Sequence, residues 1–229
     1  MTWNGGKRVF LCSCTVVFWC SQVLADMSYT IQMQIENKQY GLQSVTQRCK
    51  TNEQFLLTET QYSAEEGAIV QLTDMKRGVI YSIDHKEQRI TMSPIPDEEL
   101  PELDFNAEKM ENSTIRGFQC QGYRIQEFRG TVPSATMEVW VTDDLDMPFG
   151  SLWKDLLKDK SKALKKLRDN MDGFPLRYTR RSLLEDKTQV QMEVMDIELS
   201  DLPEEIFTLP ETYTLHVAEE VSSDTPEEL

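Results

Sequence analysis

Few residues in this sequence have the types and spacing that catalysis or metal binding needs. The chain has only two histidines. His85 stands in a turn-like stretch, and His216 lies near the end of the chain with no cluster of ligands around it. The sequence contains no Gly-x-Ser-x-Gly elbow, no phosphate-binding glycine loop, no His-Glu-x-x-His motif and no paired Cys-x-x-Cys motif. We therefore predict that the protein is not an enzyme and holds no metal or other cofactor.

Carboxylates are abundant, but none is singled out for chemistry. The 39 Asp and Glu residues outnumber the 24 Lys and Arg residues, for a formal net charge of −15. Residues 97–102 with Asp104 could offer oxygen ligands to Ca²⁺, but they lack the alternating Asp/Asn positions and central glycine of a calcium loop. We favour a hydrated acidic loop there. The negative charge also argues against a nucleic-acid partner, because binding to phosphates needs a basic surface.

The first 25 residues have the composition of a secretory signal peptide. A basic start over residues 1–8 precedes the uncharged stretch 9–20, and small residues at −3 and −1 predict cleavage after Ala25. As a helix that stretch would rise about 18 Å, short of the ~30 Å hydrocarbon core, so we favour a leader over a membrane anchor. A lipid-anchored precursor is disfavoured because bulky Trp19 precedes Cys20. We predict an exported protein, periplasmic or extracellular, without a transmembrane segment after cleavage.

Cleavage at this point would leave two of the five cysteines, Cys49 and Cys120. In an exported protein they could form one disulfide, closing a loop of about 70 residues and contributing about 4 kcal/mol in the chain-entropy model. Alternatively each is a small buried apolar residue. Both interpretations stay open, because sequence alone does not show whether the two Cα atoms come within bonding range.

Most of the chain beyond residue 26 shows the period of two that is typical of half-buried β-strands. Ile31, Met33 and Ile35 alternate with polar residues. In the last long strand the apolar phase slips by one residue after Val194, which predicts a β-bulge or sharp bend near Val194–Met195. Short strands joined by polar turns indicate an antiparallel meander. Further strand candidates lie near residues 43–49, 54–61, 68–75, 79–83, 88–93, 118–128, 136–142, 174–183 and 187–200.

Residues 151–171 instead show a period of 3.6, with an apolar stripe, Ser151 as a candidate N-cap and Gly173 at the C-terminal end. Such a helix would be roughly 31 Å long, enough to cross a sheet. The predicted fold is therefore α+β: a curved antiparallel β-sheet, or open half-barrel, with a long amphipathic helix packed on one face. We expect residues 26–217 to form a single domain and residues 218–229 an acidic mobile tail.

Two groups of residues could line a binding surface. The first could form an apolar cavity or an ordinary core, and the second, on the helix, could dock an anionic partner or lipid headgroup. For the second group we favour the alternative, a solvated side of an amphipathic helix. The first group is Trp140, Phe149, Trp153, Leu156, Leu157 and Phe174; the second is Lys158, Lys162, Lys165 and Lys166.

Four stretches resemble a bacterial exported family known only as a domain of unknown function: IRGFQCQGYRI (115–125), MEVWVTDDLDM (137–147), GFPLR (173–177) and DIELSDLPEEIFTLPETY (196–213). That family is similar in fold to the periplasmic lipoprotein carriers, the LolA/LolB-like class, whose curved antiparallel sheet is closed by helices around an apolar cavity. The resemblance covers most of residues 28–215. It implies that Phe207 and Leu209 anchor the chain end in the core, and it carries over no functional residue.

These observations lead to two hypotheses of function. The first is a non-catalytic exported protein that binds an apolar ligand, a lipid or acyl chain, in a half-barrel cavity. Burying ten methylenes would contribute about 8 kcal/mol before entropic costs. The alternative is a structural or interaction protein with a solid core, which docks a protein partner through a sheet edge or through the lysine-rich helix.

Overall fold

A computed structural model describes residues 26–39, 41–62, 67–95, 104–145, 173–184 and 187–218. Within these ranges the chain forms thirteen strands and one short 3-10 helix, Glu204–Phe207. The strands are β1 (Met27–Asn37), β2 (Gly41–Thr51), β3 (Phe55–Gln61), β4 (Ile69–Asp74), β5 (Val79–Asp84), β6 (Arg89–Pro94), β7 (Asp104–Lys109), β8 (Ser113–Ile115), β9 (Phe118–Arg129), β10 (Val132–Thr142), β11 (Phe174–Ser182), β12 (Gln189–Leu199) and β13 (Thr214–Val217).

The strands join into one open sheet in the order β13-β6-β5-β4-β3-β2-β1-β12-β11-β10-β9-β7, and β8 pairs with β9 as well. All neighbours on this path are antiparallel except β13, which runs parallel to β6. The antiparallel sheet expected from the period of two is therefore present. Because β12 returns to pair with β1, the first strand lies in the middle of the sheet and not at an edge.

The prediction of an α+β fold is wrong. The described residues form one open curved sheet, and their only helix is the short 3-10 turn. The helix expected over residues 151–171 lies outside the described residues, as do Phe149, Trp153, Leu156, Leu157, Lys158, Lys162, Lys165 and Lys166. An apolar stripe with a period of 3.6 shows only that a helix would be amphipathic, whereas helix formation in proteins depends mainly on tertiary packing. The period of 3.6 in residues 151–171 was therefore not sufficient to assign a fold class.

The sheet buries opposite faces in its two halves. Tyr29 and Ile31 of β1 project from the face that we call the inner face, and β9–β12 bury that same face in the larger core. Strands β4–β6 bury the outer face instead, and β3 contributes to both cores, with Leu56 buried in the larger one. Leu57, Leu72 and Tyr81 are cross-strand neighbours there, and they belong to a separate, smaller core.

The smaller core is covered by residues 202–213. Phe207 is buried and stacks on Phe55, with ring centroids 5.8 Å apart. Leu209 packs against the same cluster, so the expected anchoring of the chain end by these two side chains is confirmed. The segment is tied down at its start, where the backbone N–H of Leu202 donates to a carboxylate oxygen of Asp26 at 2.9 Å.

The phase slip predicted in the last long strand is confirmed. In the pairing of β1 with β12, Ile31 lies opposite Val194 whereas Tyr29 lies opposite Ile197, so β12 holds one extra residue there. The register shifts again between Pro133 and Ala135 on β10, and opposite Trp140 and Val141, where β11 holds one extra residue between Arg177 and Pro175. Because bulges bend a strand and increase its twist, these three sites account for curvature in this half of the sheet.

Candidate functional site

The inner face is apolar over most of its width. Strand register aligns Met33, Met192, Tyr178, Val139 and Tyr123 in one row across β1, β12, β11, β10 and β9. The next row toward one end of these strands holds Ile35, Val190, Met137 and Ile125, with Arg180 among them. Side chains at alternate positions share a face, so both rows line the same surface.

Beyond these rows the inner face becomes polar. The side-chain amide of Asn37 donates to the Thr188 hydroxyl at 2.8 Å, and Ala135 lies between Ser182 and Glu127 in the strand register. We call Asn37, Thr188, Ser182 and Glu127 the polar row. The inner face is thus amphipathic along the strand direction, apolar in the middle and polar at one end.

A buried ion pair joins this polar row to the apolar rows. Arg180 Nη2 donates to Glu127 Oε2 at 3.1 Å. The Glu127 side chain is only 1% exposed, against 31% for Arg180. Glu127 on β9 and Arg180 on β11 are separated by β10, where Ala135 lies opposite Glu127 and Met137 lies opposite Arg180, so the ion pair crosses β10 diagonally.

Among the described residues, three buried polar atoms of β9, β10 and β11 have no hydrogen-bond partner: Glu127 Oε1, Ser134 Oγ and Arg180 Nε. Ser134 occupies the bulge of β10 beside Ala135. Leaving a buried donor or acceptor unsatisfied costs about 1–3 kcal/mol, and more for a charged group. Native proteins rarely keep such atoms together without a partner, so the polar end of the inner face has the character of a binding site.

The polar row borders an open depression of about 520 Å³ at the tips of β1, β2, β11 and β12. Asn37 and Ser182 line it from the polar row, and Leu183 adds an exposed apolar side chain. Charged residues complete the rim: Glu36, Lys38, Arg181 and Lys187. The polar end of the inner face therefore lies next to solvent.

The outer face of β9–β12 has a different character. Its ion pairs join Glu193 to Arg116 and Arg177, each at 3.1 Å, and Arg124 to Glu138 at 3.1 Å. The hydrogen bond that Arg124 donates to the Glu138 carboxylate raises the pKa of Arg124 above its ordinary value. A depression of about 420 Å³ on this face is lined mostly by polar and charged groups. Exposed pairs of this kind contribute little energy, so we regard this face as the solvated side of the sheet.

The two described aromatic residues of the predicted group, Phe174 and Trp140, both pack in or against the larger core. Phe174 is buried in the larger core, where its ring meets the Tyr29 ring edge-on at 5.4 Å between centroids. Trp140 follows Val139 and so projects from the outer face, where its ring covers Gly122. A Cβ atom at residue 122 would lie 2.6 Å from that ring, so only glycine fits there.

Both predicted disulfide partners are buried in the larger core, and the structure shows them as thiols. Cys49 lies on β2 and Cys120 on β9, with four strands between them in the sheet order. Along the sheet this corresponds to about 24 Å, whereas a disulfide needs Cα atoms within ~7 Å. Burial raises the pKa of the Cys120 thiol. The bridge stays a prediction, and the strand order does not favour it.

The histidines have surroundings that match the sequence interpretation. His85 lies in the turn between β5 and β6, exposed, with its Nδ1 2.9 Å from the Tyr213 hydroxyl, and His216 is exposed on β13. The described residues contain no group of three or more side chains suited to hold a metal ion. Within the same ranges, no helix has the length and apolarity needed to cross a bilayer.

Sequence reasoning missed Glu127 and Arg180, although a signal for both was present. In the strand candidate 118–128, Glu127 has the same phase as Ile125 and Tyr123, which are apolar. In 174–183, Arg180 has the phase of Tyr178. A charged residue at an apolar phase marks a buried charge, and two such strands in one sheet indicate a buried pair.

These features define a class of protein: an open, curved antiparallel sheet with an inner face that is apolar in the middle and polar at one end. Residues 58–213 match the family model described as a domain of unknown function, DUF4412. The match spans more than half of the chain, so the chain belongs to this family. The family membership expected from the sequence is confirmed.

Solved structures with similar folds come from several bacteria. An uncharacterised conserved protein from Thermus thermophilus is 10% identical, with 86% of this chain and 92% of that chain covered and a TM-score of 0.50. A LolA superfamily protein from Nitrosomonas europaea is 10% identical (81% and 91% covered, TM-score 0.40). A putative outer membrane lipoprotein-sorting protein domain from Vibrio parahaemolyticus is 9% identical (82% and 91% covered, TM-score 0.36). No curated protein sequence matches this chain.

Proposed function

We propose that this protein is an exported, non-catalytic binding protein that holds the apolar chain of a lipid against the inner face of its sheet. The observation that carries the proposal is the layout of that face. Two apolar rows cross five strands and end at a polar row beside an open depression. A molecule with an apolar chain and a polar head has the same division along its length.

The energy of such binding comes from the chain. Each methylene removed from water contributes about 0.8 kcal/mol, so ten contribute about 8 kcal/mol before the costs of ordering the ligand. The polar head adds mainly orientation, because its hydrogen bonds to the protein replace hydrogen bonds to water.

Native mass spectrometry of protein purified from its own host tests the proposal. We expect a co-purified mass in the range of a lipid, released on denaturation. Repeated preparations that carry only bare polypeptide would overturn the proposal.

A matched pair of variants locates the ligand. Ile35 and Val190 are half-buried opposite each other on the inner face, so Ile35→Gln combined with Val190→Gln makes the ligand surface polar. We expect this variant to lose binding of the apolar fluorescent probe N-phenylnaphthylamine at least tenfold. Thr179→Gln, half-buried on the outer face of β11, is the control and should bind the probe like the unmodified protein.

Export is part of the proposal and rests on the leader-like residues 1–25 and the predicted cleavage after Ala25. Asp26, the next residue, is already bound into the fold through its backbone oxygen and its carboxylate. N-terminal sequencing of the protein from fractionated cells should begin at Asp26. A cytosolic protein that retains Met1 would contradict export without affecting the binding proposal.

A second candidate function is interaction through the sheet edge. All four residues of β13 are exposed, and Leu215 and Val217 are 52% and 65% exposed. An edge strand of this kind can pair with a strand of another chain. If it does, Leu215→Lys with Val217→Lys should lower the oligomeric mass measured by light scattering. If the unmodified protein and the double variant both have the mass of a monomer, self-association through β13 is excluded.

A further inference from the structure

We infer that the polar row is a head-group site that selects lipids with an uncharged, hydrogen-bonding head over lipids with a carboxylate head. The inference rests on the proposed function and adds the chemical class of the ligand. The observation behind it is the set of unpartnered buried atoms around the Glu127–Arg180 ion pair.

The unpartnered atoms specify both a donor and an acceptor. Glu127 Oε1 lacks a donor, Arg180 Nε lacks an acceptor, and the Ser134 hydroxyl can serve as either. A ligand group that both donates and accepts, such as a hydroxyl or an amide, can satisfy all three. An ester or an alkane end cannot, because neither offers a donor to the Glu127 carboxylate.

The charges of the Glu127–Arg180 ion pair argue against lipids with a charged head group. Arg180 and Glu127 are joined at 3.1 Å, so together they carry no net charge. A carboxylate head would bring a second negative charge beside the buried Glu127, and an ammonium head would bring a second positive charge beside Arg180. Repulsion between like charges is weakly screened in a site this buried. An uncharged head meets neither penalty.

The site lies beside the open depression. The Arg180 side chain is 31% exposed, although its Nε is buried. Ser182, two residues further along β11 on the same face, lines the depression of about 520 Å³. A lipid head at the polar row would lie next to this depression, and its chain would contact the half-buried side chains of Met33, Ile35 and Val190.

The test compares two ligands that share one chain. Delipidated protein carrying N-phenylnaphthylamine is titrated at pH 8 with 1-monooleoylglycerol, whose head has two hydroxyls, and with oleate. We expect 1-monooleoylglycerol to bind at least tenfold more tightly. Equal affinities would overturn the head-group inference alone. If neither ligand nor probe binds, the proposed function fails as well.

Variants assign the preference to the polar row. Glu127→Gln removes the negative charge and leaves Arg180, so oleate should gain at least tenfold relative to 1-monooleoylglycerol. Ser134→Ala, a smaller change, should weaken 1-monooleoylglycerol three- to tenfold and leave oleate unchanged. Glu138→Gln removes a carboxylate from the outer face of β10 and is the matched control, with the preference expected to stay as in the unmodified protein. A preference that neither Glu127→Gln nor Ser134→Ala alters would overturn the inference.

Discussion

The ion pair between Glu127 and Arg180 is the residue-level feature on which the function proposed for this protein depends. Its two charges come from strands that are not neighbours, and one of them is almost completely removed from water. Buried pairs are seldom a net gain in stability, because desolvation offsets much of their attraction. A pair kept at the polar end of an otherwise apolar surface is better explained by the ligand chemistry it makes available.

Removing one partner of the pair should be costly. Arg180→Met leaves the Glu127 carboxylate buried without its cation, and we expect a loss of about 3 kcal/mol in the free energy of unfolding. The double variant Glu127→Leu/Arg180→Met should recover most of that loss, since no uncompensated charge remains. Urea denaturation of the single and double variants measures their free energies of unfolding. Equal losses in the single and double variants would show that the cost comes from packing and not from charge.

We expect that Cys49 and Cys120 are not joined by a disulfide and that Cys120 does not react with alkylating reagents in the folded protein. Because burial raises the pKa of Cys120 above its ordinary value, the thiolate is scarce at pH 8, and iodoacetamide should not modify this residue in the folded protein. After unfolding without reductant, peptide mapping should find both Cys49 and Cys120 alkylated. Two unmodified peptides linked to each other would establish the disulfide instead.

At the level of elements, the bulges determine which side chains reach the inner face. On β12 the extra residue lets Val194 and Ile197 project from the same face although three positions separate them. On β10 the bulge places the buried Ser134 next to Ala135, the residue opposite Glu127. Bulges thus serve both the curvature of the sheet and the composition of the site.

Deletions in β12 should differ sharply in effect. Removing Met195 from the bulge restores simple alternation and keeps Val194 and Ile197 on the inner face, so we expect a loss of only about 1–2 kcal/mol. Removing Gln191, in the regular part of the strand, moves every side chain on one side of the deletion to the opposite face of the sheet. This variant should lose cooperative unfolding. Circular dichroism during urea denaturation compares the two, and similar behaviour would contradict the assigned register.

The whole molecule is organised by one sheet that buries its outer face in one half and its inner face in the other. The C-terminal segment covers the smaller core on the outer face of β3–β6. The candidate site belongs to the other half and the other face. Stability contributed by the chain end is therefore spatially separate from the surface proposed to bind ligand.

This separation makes a prediction at the scale of the whole molecule. Phe207→Ala removes the buried ring that stacks on Phe55 and should lower the free energy of unfolding by about 3–5 kcal/mol. At 10 °C, where the variant stays folded, its affinity for N-phenylnaphthylamine should match that of the unmodified protein. A parallel loss of affinity would show that the two halves are coupled.

Local patterns predicted much of the sheet. The period of two located most strands and the slip after Val194, and the closing motif placed Phe207 in the core. The α+β class failed because it rested on one amphipathic period, whereas the described residues form a single sheet with one short 3-10 helix. The candidate site was missed because Glu127 and Arg180 are far apart in the chain, and charges are usually read as surface residues.

The sequence by itself determined the strands, their faces and the bulge in β12, because alternation is a property of a single strand and its immediate neighbours. Only the tertiary structure decided which face each half of the sheet buries, and that Glu127 and Arg180 meet across β10. Both depend on the pairing of β12 with β1 and on the order of β9, β10 and β11. Pairings between segments distant in the chain depend on the packing of the whole molecule, which no local pattern contains.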